Sequence, residues 1–334
     1  SFPYNITLGA IRDDSLVFAV GKRIGEHLKK IGVHLNFAPV SDVNTNPKNP
    51  IIGARSFGEN KFKVTNKSIK YIEGLNSSGV LAVGKHFPGH GDTRKDSHLT
   101  LPTLNYDLSR IDSIELYPFK QIIRSGVDGI MTAHLKVKSL DDKMITTLSR
   151  KIITNLLKQD LRFDGIVITD ALDMKAIVDY SKGNYPDVDA LIAGNDILLM
   201  PSDLKRSISE IKKAVIDGKV PLKRLENAVK KILNTKYKVG LNKYKPISSD
   251  NIKYKYNEKD PHKHLYSWSP SNLGNILFTI GFKVLETKPY LSKWFPYRYR
   301  LKKYMSWSIF HFLCRIWARF DNKWYQILAI AKKD

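Results

Sequence analysis

Cysteine is all but missing from this chain. Cys314 stands alone among 334 residues, which excludes an internal disulfide and a thiolate metal cluster. Long apolar runs are missing too: the longest, 276–282 and 306–318, are too short for a membrane-spanning helix, and the second carries His311 and Arg315. No Gly-x-Gly-x-Gly loop and no His-Glu-x-x-His pair occurs anywhere, so the usual signals for a nucleotide-type cofactor and for a zinc protease are lacking. Acidic residues are scarce, with 32 Asp+Glu against 55 Lys+Arg and a net charge of +23. The lysines are spread over helix-like faces among apolar residues, and residues 1–250 hold no basic tract with stacking aromatics. That pattern predicts a solvated basic surface and no specific nucleic-acid site, with a bias toward anionic cell-wall polymers or membrane surfaces. No signal peptide is visible, but the first residue is Ser1 and not methionine. The expectation is a lost upstream segment and a periplasmic or extracellular origin.

Tryptophan is absent from residues 1–250, and all five (Trp268, Trp294, Trp307, Trp317, Trp324) lie beyond them. Residues 251–334 carry 16 Lys+Arg against 5 Asp+Glu, and the polar stretch 242–260 reads as a linker. Two domains are therefore expected, 1–250 and 251–334. In the first, short β-rich apolar runs (33–43, 80–87, 129–135, 165–170, 196–200) alternate with amphipathic helical stretches (14–30, 61–77, 108–125, 204–216). Alternation of this kind predicts a parallel sheet covered by helices. Asp42, Lys85, His86, His134 and Asp170 fall at strand ends, where a (β/α) barrel gathers its catalytic groups. A doubly wound open sheet is the competing architecture.

The densest chemistry follows the second run. Lys85-His86-Phe87-Pro88-Gly89-His90-Gly91-Asp92-Thr93, with Asp96-Ser97-His98 close behind, places three histidines, two glycines and two aspartates within fourteen residues. Such a cluster builds a site and not a core. A metal cluster of His86, His90, His98 and Asp92 is a competing reading, but no known ligand spacing supports it. A phosphate loop has the wrong order, because Lys85 precedes the turn. Sequons at Asn5, Asn66 and Asn76 are short enough to arise by chance.

The His-rich run closely resembles the signature of family 3 glycoside hydrolases, in their β-N-acetylglucosaminidase branch. The resemblance implies a (β/α)8 TIM-type barrel, here incomplete, since five strand candidates are present and about three more precede them in that family. It implies a carbohydrate substrate, a terminal β-linked N-acetylglucosamine as on peptidoglycan fragments, cleaved with retention and with no metal or organic cofactor. Asp170, in Thr169-Asp170-Ala171-Leu172-Asp173-Met174, maps onto the family's nucleophile. His98 maps onto the proton donor, with Asp96 as its orienting partner. A neutral imidazole in that role leaves room for phosphate as well as water as the acceptor. Arg55, Lys85 and His86 resemble sugar contacts; Asp42 orders the site, and His134 lines the pocket.

The tail resembles the last portion of a class I S-adenosylmethionine-dependent methyltransferase, through His264-Leu265-Tyr266-Ser267-Trp268-Ser269-Pro270, Leu273-Gly274-Asn275-Ile276-Leu277, Gly281-Phe282-Lys283-Val284 and the run 325–331. That predicts a helix, a strand and a final antiparallel strand, in a small α/β fragment that lacks the cofactor loop. A whole-chain methyltransferase and a hybrid of two gene fragments without activity stay open as alternatives. So does contact of the tryptophan-rich tail with a membrane surface.

Overall fold

The computed structural model describes residues 2–93, 101–181 and 186–243, together with the backbone of 282–291 and 325–333. By its contacts the chain divides into two compact units, Phe2–Ser248 and Ser249–Asp334.

In the first unit, α1 (Asn5–Ala10) leads into α2 (Asp14–Lys30). Asp13 caps α2 by accepting the Ser15 amide, and His27, Lys29 and Lys30 sit in its last turn, where the helix dipole favours positive charge. After β1 (Leu35–Asn36), helix α3 (Lys61–Ser77) is capped by Asn60, which accepts the amides of Phe62 and Lys63. The α2 and α3 backbones approach so closely that a Cβ on Gly74 would sit 2.2 Å from the Phe18 carbonyl oxygen. Lys67 is buried in this contact and pairs with Asp14 at 2.5 Å.

The sheet explains why the apolar runs lie where they do. β1 pairs with β2 (Leu81–Phe87), β2 with β4 (Gly129–Thr132) and β4 with β6 (Ile166–Thr169), all parallel and in chain order. Bridges from Val40 to Lys85 and from Ile168 to Ile197 extend the pairing at both edges. Strands covered on both faces need near-continuous apolar sequence. Val83, Met131, Ile166 and Ile168 pack on one face with Phe37, Ile197 and Leu199, while Ala82, Phe87, Ile130 and Val167 join the core under the helices. Four consecutive parallel strands with an apolar inner face, followed by the Ile197 bridge, make this an α/β barrel-type fold, open among the described residues. β3 (Thr103–Leu104) and β5 (Lys136–Val137) form a small separate parallel pair.

Three details depart from the sequence reading. The helix expected over 108–125 is one continuous run of α4 (Leu108–Arg110), a π-helical turn Ile111–Glu115 and α5 (Leu116–Arg124). The run 196–200 forms a single bridge, not a ladder, because Asp196 turns back to accept the Val167 amide at 3.0 Å. The π-helical stretch Lys151–Asp160 and helices α6 (Lys175–Tyr180), α7 (Asp187–Ala193) and α9 (Leu222–Lys238) join the expected α8 (Leu204–Ile216).

In the second unit β7 (Phe282–Leu291) pairs antiparallel with β8 (Tyr325–Lys333). A two-stranded antiparallel pair occurs in many folds and does not by itself carry the methyltransferase resemblance. The predicted tail helix lies outside the described residues.

Candidate active site

Parallel strands carry their carboxyl ends to one rim, and the candidate residues gather there. Asp42 follows the β1 segment, Lys85 and His86 end β2, His134 follows β4 and Asp170 follows β6. Loop 44–58 brings Arg55 to the same place. His98 and Asp96 lie outside the described residues.

Asp42 is the hub of the rim. It is fully buried and accepts the His86 amide at 3.2 Å on each oxygen, the His86 Nδ1–H at 2.7 Å and the His90 amide at 2.7 Å. Burial pushes its pKa up, but the neighbouring His86 and His90 and their hydrogen bonds more than offset this and hold it below the usual carboxylate range. The His86 ring is thereby fixed, with its Nε2 3.3 Å from Arg55 Nη2.

Asp170 is half-buried. Its amide donates to the Thr132 carbonyl at 3.0 Å, anchoring the strand end, and its Oδ1 accepts the Ala171 amide at 2.9 Å. Helix α6 starts only at Lys175, so Asp170 is not a helix cap. Burial raises its pKa; His86, His134, the Ala171 amide and Lys85 outweigh burial and leave the carboxyl ionised at neutral pH. Lys85 is its counterpart. Burial and Arg55 lower the Lys85 pKa, while Asp170 and Asp42 support the charge. His134 is buried, with Nε2 donating to the Ala171 carbonyl at 2.9 Å and Nδ1 2.7 Å from the Thr147 hydroxyl. Both ring nitrogens are engaged, so His134 holds the Asp170–Ala171 turn and does not offer a free edge to the pocket. Burial lowers its pKa.

The turn Gly89–His90–Gly91–Asp92–Thr93 closes the site. Gly89 has φ +136, a conformation that favours glycine. A Cβ on Gly91 would lie 1.9 Å from the Val43 carbonyl oxygen, so the turn presses against the Asp42 segment. Burial drives His90 down to about 4, leaving a neutral ring whose Nδ1 lies 2.8 Å from Thr93 Oγ1.

Arg110 braces the turn from outside. Its guanidinium bonds Asp92 at 3.0 Å and both oxygens of Glu115 at 2.9 and 3.2 Å, and it lies 4.8 Å from the Tyr106 ring centre. Burial pushes Glu115 up to about 7 against the opposing pull of Arg110. The folded protein thus holds a proton there that the unfolded chain, near 4.5, releases earlier. The stability this group contributes is fully present below about pH 4.5 and is lost as pH rises through about 7. The melting temperature should therefore fall more between about pH 5 and pH 8 in the natural chain than in Glu115→Gln. Parallel melting curves for the two proteins would contradict this assignment.

Sequence reasoning missed Asn49, Thr93, Arg110 and Glu115 as parts of the rim. Asn46-Pro47-Lys48-Asn49-Pro50 reads only as a turn. Arg110 and Glu115 look like ordinary exposed helix charges until the π-helical turn draws Glu115 inward.

Beta-hexosaminidase A of Pseudoalteromonas piscicida is 36% identical over 263 residues, covering 72% of this chain and 44% of that protein. Beta-hexosaminidase of Tolumonas auensis is 35% identical over 189 residues, 56% of this chain and 54% of that protein. The chain spans about half the length of these curated relatives. Among solved structures, a glycoside hydrolase family 3 beta-N-acetylglucosaminidase from a Paenibacillus species superposes with a TM-score of 0.70 at 31% identity, over 86% of this chain and 54% of that one. Residues 1–235 match the glycosyl hydrolase family 3 N-terminal domain, and the chain belongs to that family.

Proposed function

We propose that residues 1–250 form a partial glycosidase domain that removes a terminal β-linked N-acetylglucosamine from a glycan, a peptidoglycan fragment being the natural candidate. The observation that carries this reading is Asp170: a strand-end carboxylate kept ionised among Lys85, His86 and His134. A half-buried anion without a fixed structural partner on both oxygens is suited to attack. Its Oδ1 takes only the Ala171 amide.

In this reading an Asp170 oxygen attacks the anomeric carbon as the glycosidic C–O bond breaks. His98, oriented by Asp96, gives its proton to the leaving oxygen. The leaving alcohol departs, and the sugar stays as an ester on Asp170. A water molecule then loses a proton to His98, its oxygen attacks the anomeric carbon, and the ester bond breaks to return the Asp170 carboxylate. Two inversions give net retention. Arg55, Lys85 and His86 contact the sugar; a planar guanidinium suits paired hydroxyls. Asp42 and His134 hold these groups in place. Residues 251–334 form a separate, methyltransferase-like fragment in this reading.

Supporting the sugar class are two beta-hexosaminidase relatives and a structural relative that is a beta-N-acetylglucosaminidase. The test is release of the chromophore from an aryl β-N-acetylglucosaminide by the full chain, with NMR of the first-formed sugar. Release of the β-anomer first is expected. Release of the α-anomer would reject the covalent route, and no release would reject the activity.

A further inference from the structure

We infer that Asn49 is a positioning residue, which fastens the arginine loop to the histidine turn so that the two halves of the site move as one. The inference rests on the glycosidase reading for its catalytic consequence, though not for its geometry.

Asn49 is buried, and every polar atom of its side chain is used. Nδ2 donates to the His90 carbonyl at 2.9 Å and the Gly91 carbonyl at 3.1 Å, and lies 3.4 Å from Thr93 Oγ1. Oδ1 accepts the amides of Ile51 and Ile52, each at 2.9 Å. The amide therefore splits its work by chemistry. Its oxygen end shapes the turn that leads to Arg55, whose own amide bonds the Ile52 carbonyl at 2.7 Å. Its nitrogen end grips the turn that gives the His90 amide to Asp42. Asp42 in turn holds the His86 ring, and Arg55 lies against the far nitrogen of that ring. The loop of contacts closes through Asn49, joining segments about forty residues apart in the chain. An aspartate or a leucine of the same size could not serve both ends, because only a carboxamide offers two donors and an acceptor.

That asymmetry supplies the test. Asn49→Asp keeps the oxygen that accepts from Ile51 and Ile52 but sets a second oxygen against two carbonyls. Asn49→Ala removes both ends. Hydrogen exchange by mass spectrometry should show faster exchange in the 86–93 segment of Asn49→Asp, with the 50–58 segment unchanged, and faster exchange in both segments of Asn49→Ala. On the aryl N-acetylglucosaminide, Asn49→Asp should lose about 10- to 100-fold in kcat with KM held within about twofold, the scale of a small misplacement near reacting groups. Asn49→Ala should lose kcat and raise KM. Unchanged exchange at 86–93 in Asn49→Asp would overturn the coupling, whatever the activity. Faster exchange with an unchanged kcat would reduce Asn49 to a stabilising residue and overturn the positioning role. If the natural chain releases no chromophore, the glycosidase reading fails, and the exchange pattern still decides whether Asn49 couples the two segments.

Discussion

Asp170→Asn is expected to lower chromophore release from an aryl β-N-acetylglucosaminide by about 10³-fold or more, with little change in folding. The magnitude follows from the proposed role, since removal of a group that forms the covalent bond leaves only binding and electrostatic assistance. Asparagine keeps the shape and can still accept the Ala171 amide, which the carboxylate meets at 2.9 Å. It lacks the negative charge that Lys85, His86 and His134 surround. Folding should hold because the strand-end contact to Thr132 runs through the Asp170 backbone amide, which the substitution does not touch. Circular dichroism and melting temperature check that part. A rate within about tenfold of the natural chain would remove Asp170 from the chemistry, because a tenfold loss is only about 1.4 kcal/mol of barrier.

The largest expected effect on stability belongs to Asp42. Substitution by asparagine should destabilise the domain by about 3–5 kcal/mol, because several hydrogen bonds to one buried carboxylate, about 1.5–3 kcal/mol each, are lost or weakened together. In a domain of this size that is a fall of about 10 °C in melting temperature. The cause is specific. The carboxylate accepts from two amides and an imidazole without contact with water, and a carboxamide nitrogen in place of either oxygen would face donors with a donor. The pH dependence has a fixed sign as well. The folded-state pKa lies below the unfolded value of 3.8, so the stability from this group is present above about pH 4 and disappears as pH falls through the folded value. Denaturant melts of Asp42→Asn and the natural chain should differ most near neutral pH and converge in acid. A difference that stays constant down to about pH 3 would show that ionisation of Asp42 does not stabilise the fold.

Each of these expectations turns on residues that were singled out from their place after apolar runs, which is where sequence reading was strongest. The helices α2, α3 and α8 have the spans that the amphipathic periodicity predicts. Helix α9 is not among the stretches expected from the sequence, although Leu222, Leu225, Val229 and Ile232 recur at helical spacing along it. The run 129–135 reads as one strand, yet the ladder stops at Thr132, beyond which the His134 side chain bonds Thr147 and the Ala171 carbonyl. Sequence periodicity registers burial but cannot tell a ladder partner from a side-chain partner.

His134 falls at a strand end that the sequence marks, and its ring bonds protein partners on both sides. Glu115 carries no such mark. Nothing in Ile111-Asp112-Ser113-Ile114-Glu115 marks it as buried, and only the widened turn brings it to Arg110.

The sequence by itself determined the alternation of strand and helix, the strand-end placing of Asp42, Lys85, His86 and Asp170, and the family. Hydrophobic period and residue order are local properties, and they survive without coordinates. Only the tertiary structure decided that Asp42 answers His86, 44 positions along the chain, and that one asparagine joins two loops. Hydrogen bonds and charge interactions depend on separation in space and on exclusion of water, and neither quantity is written along the chain.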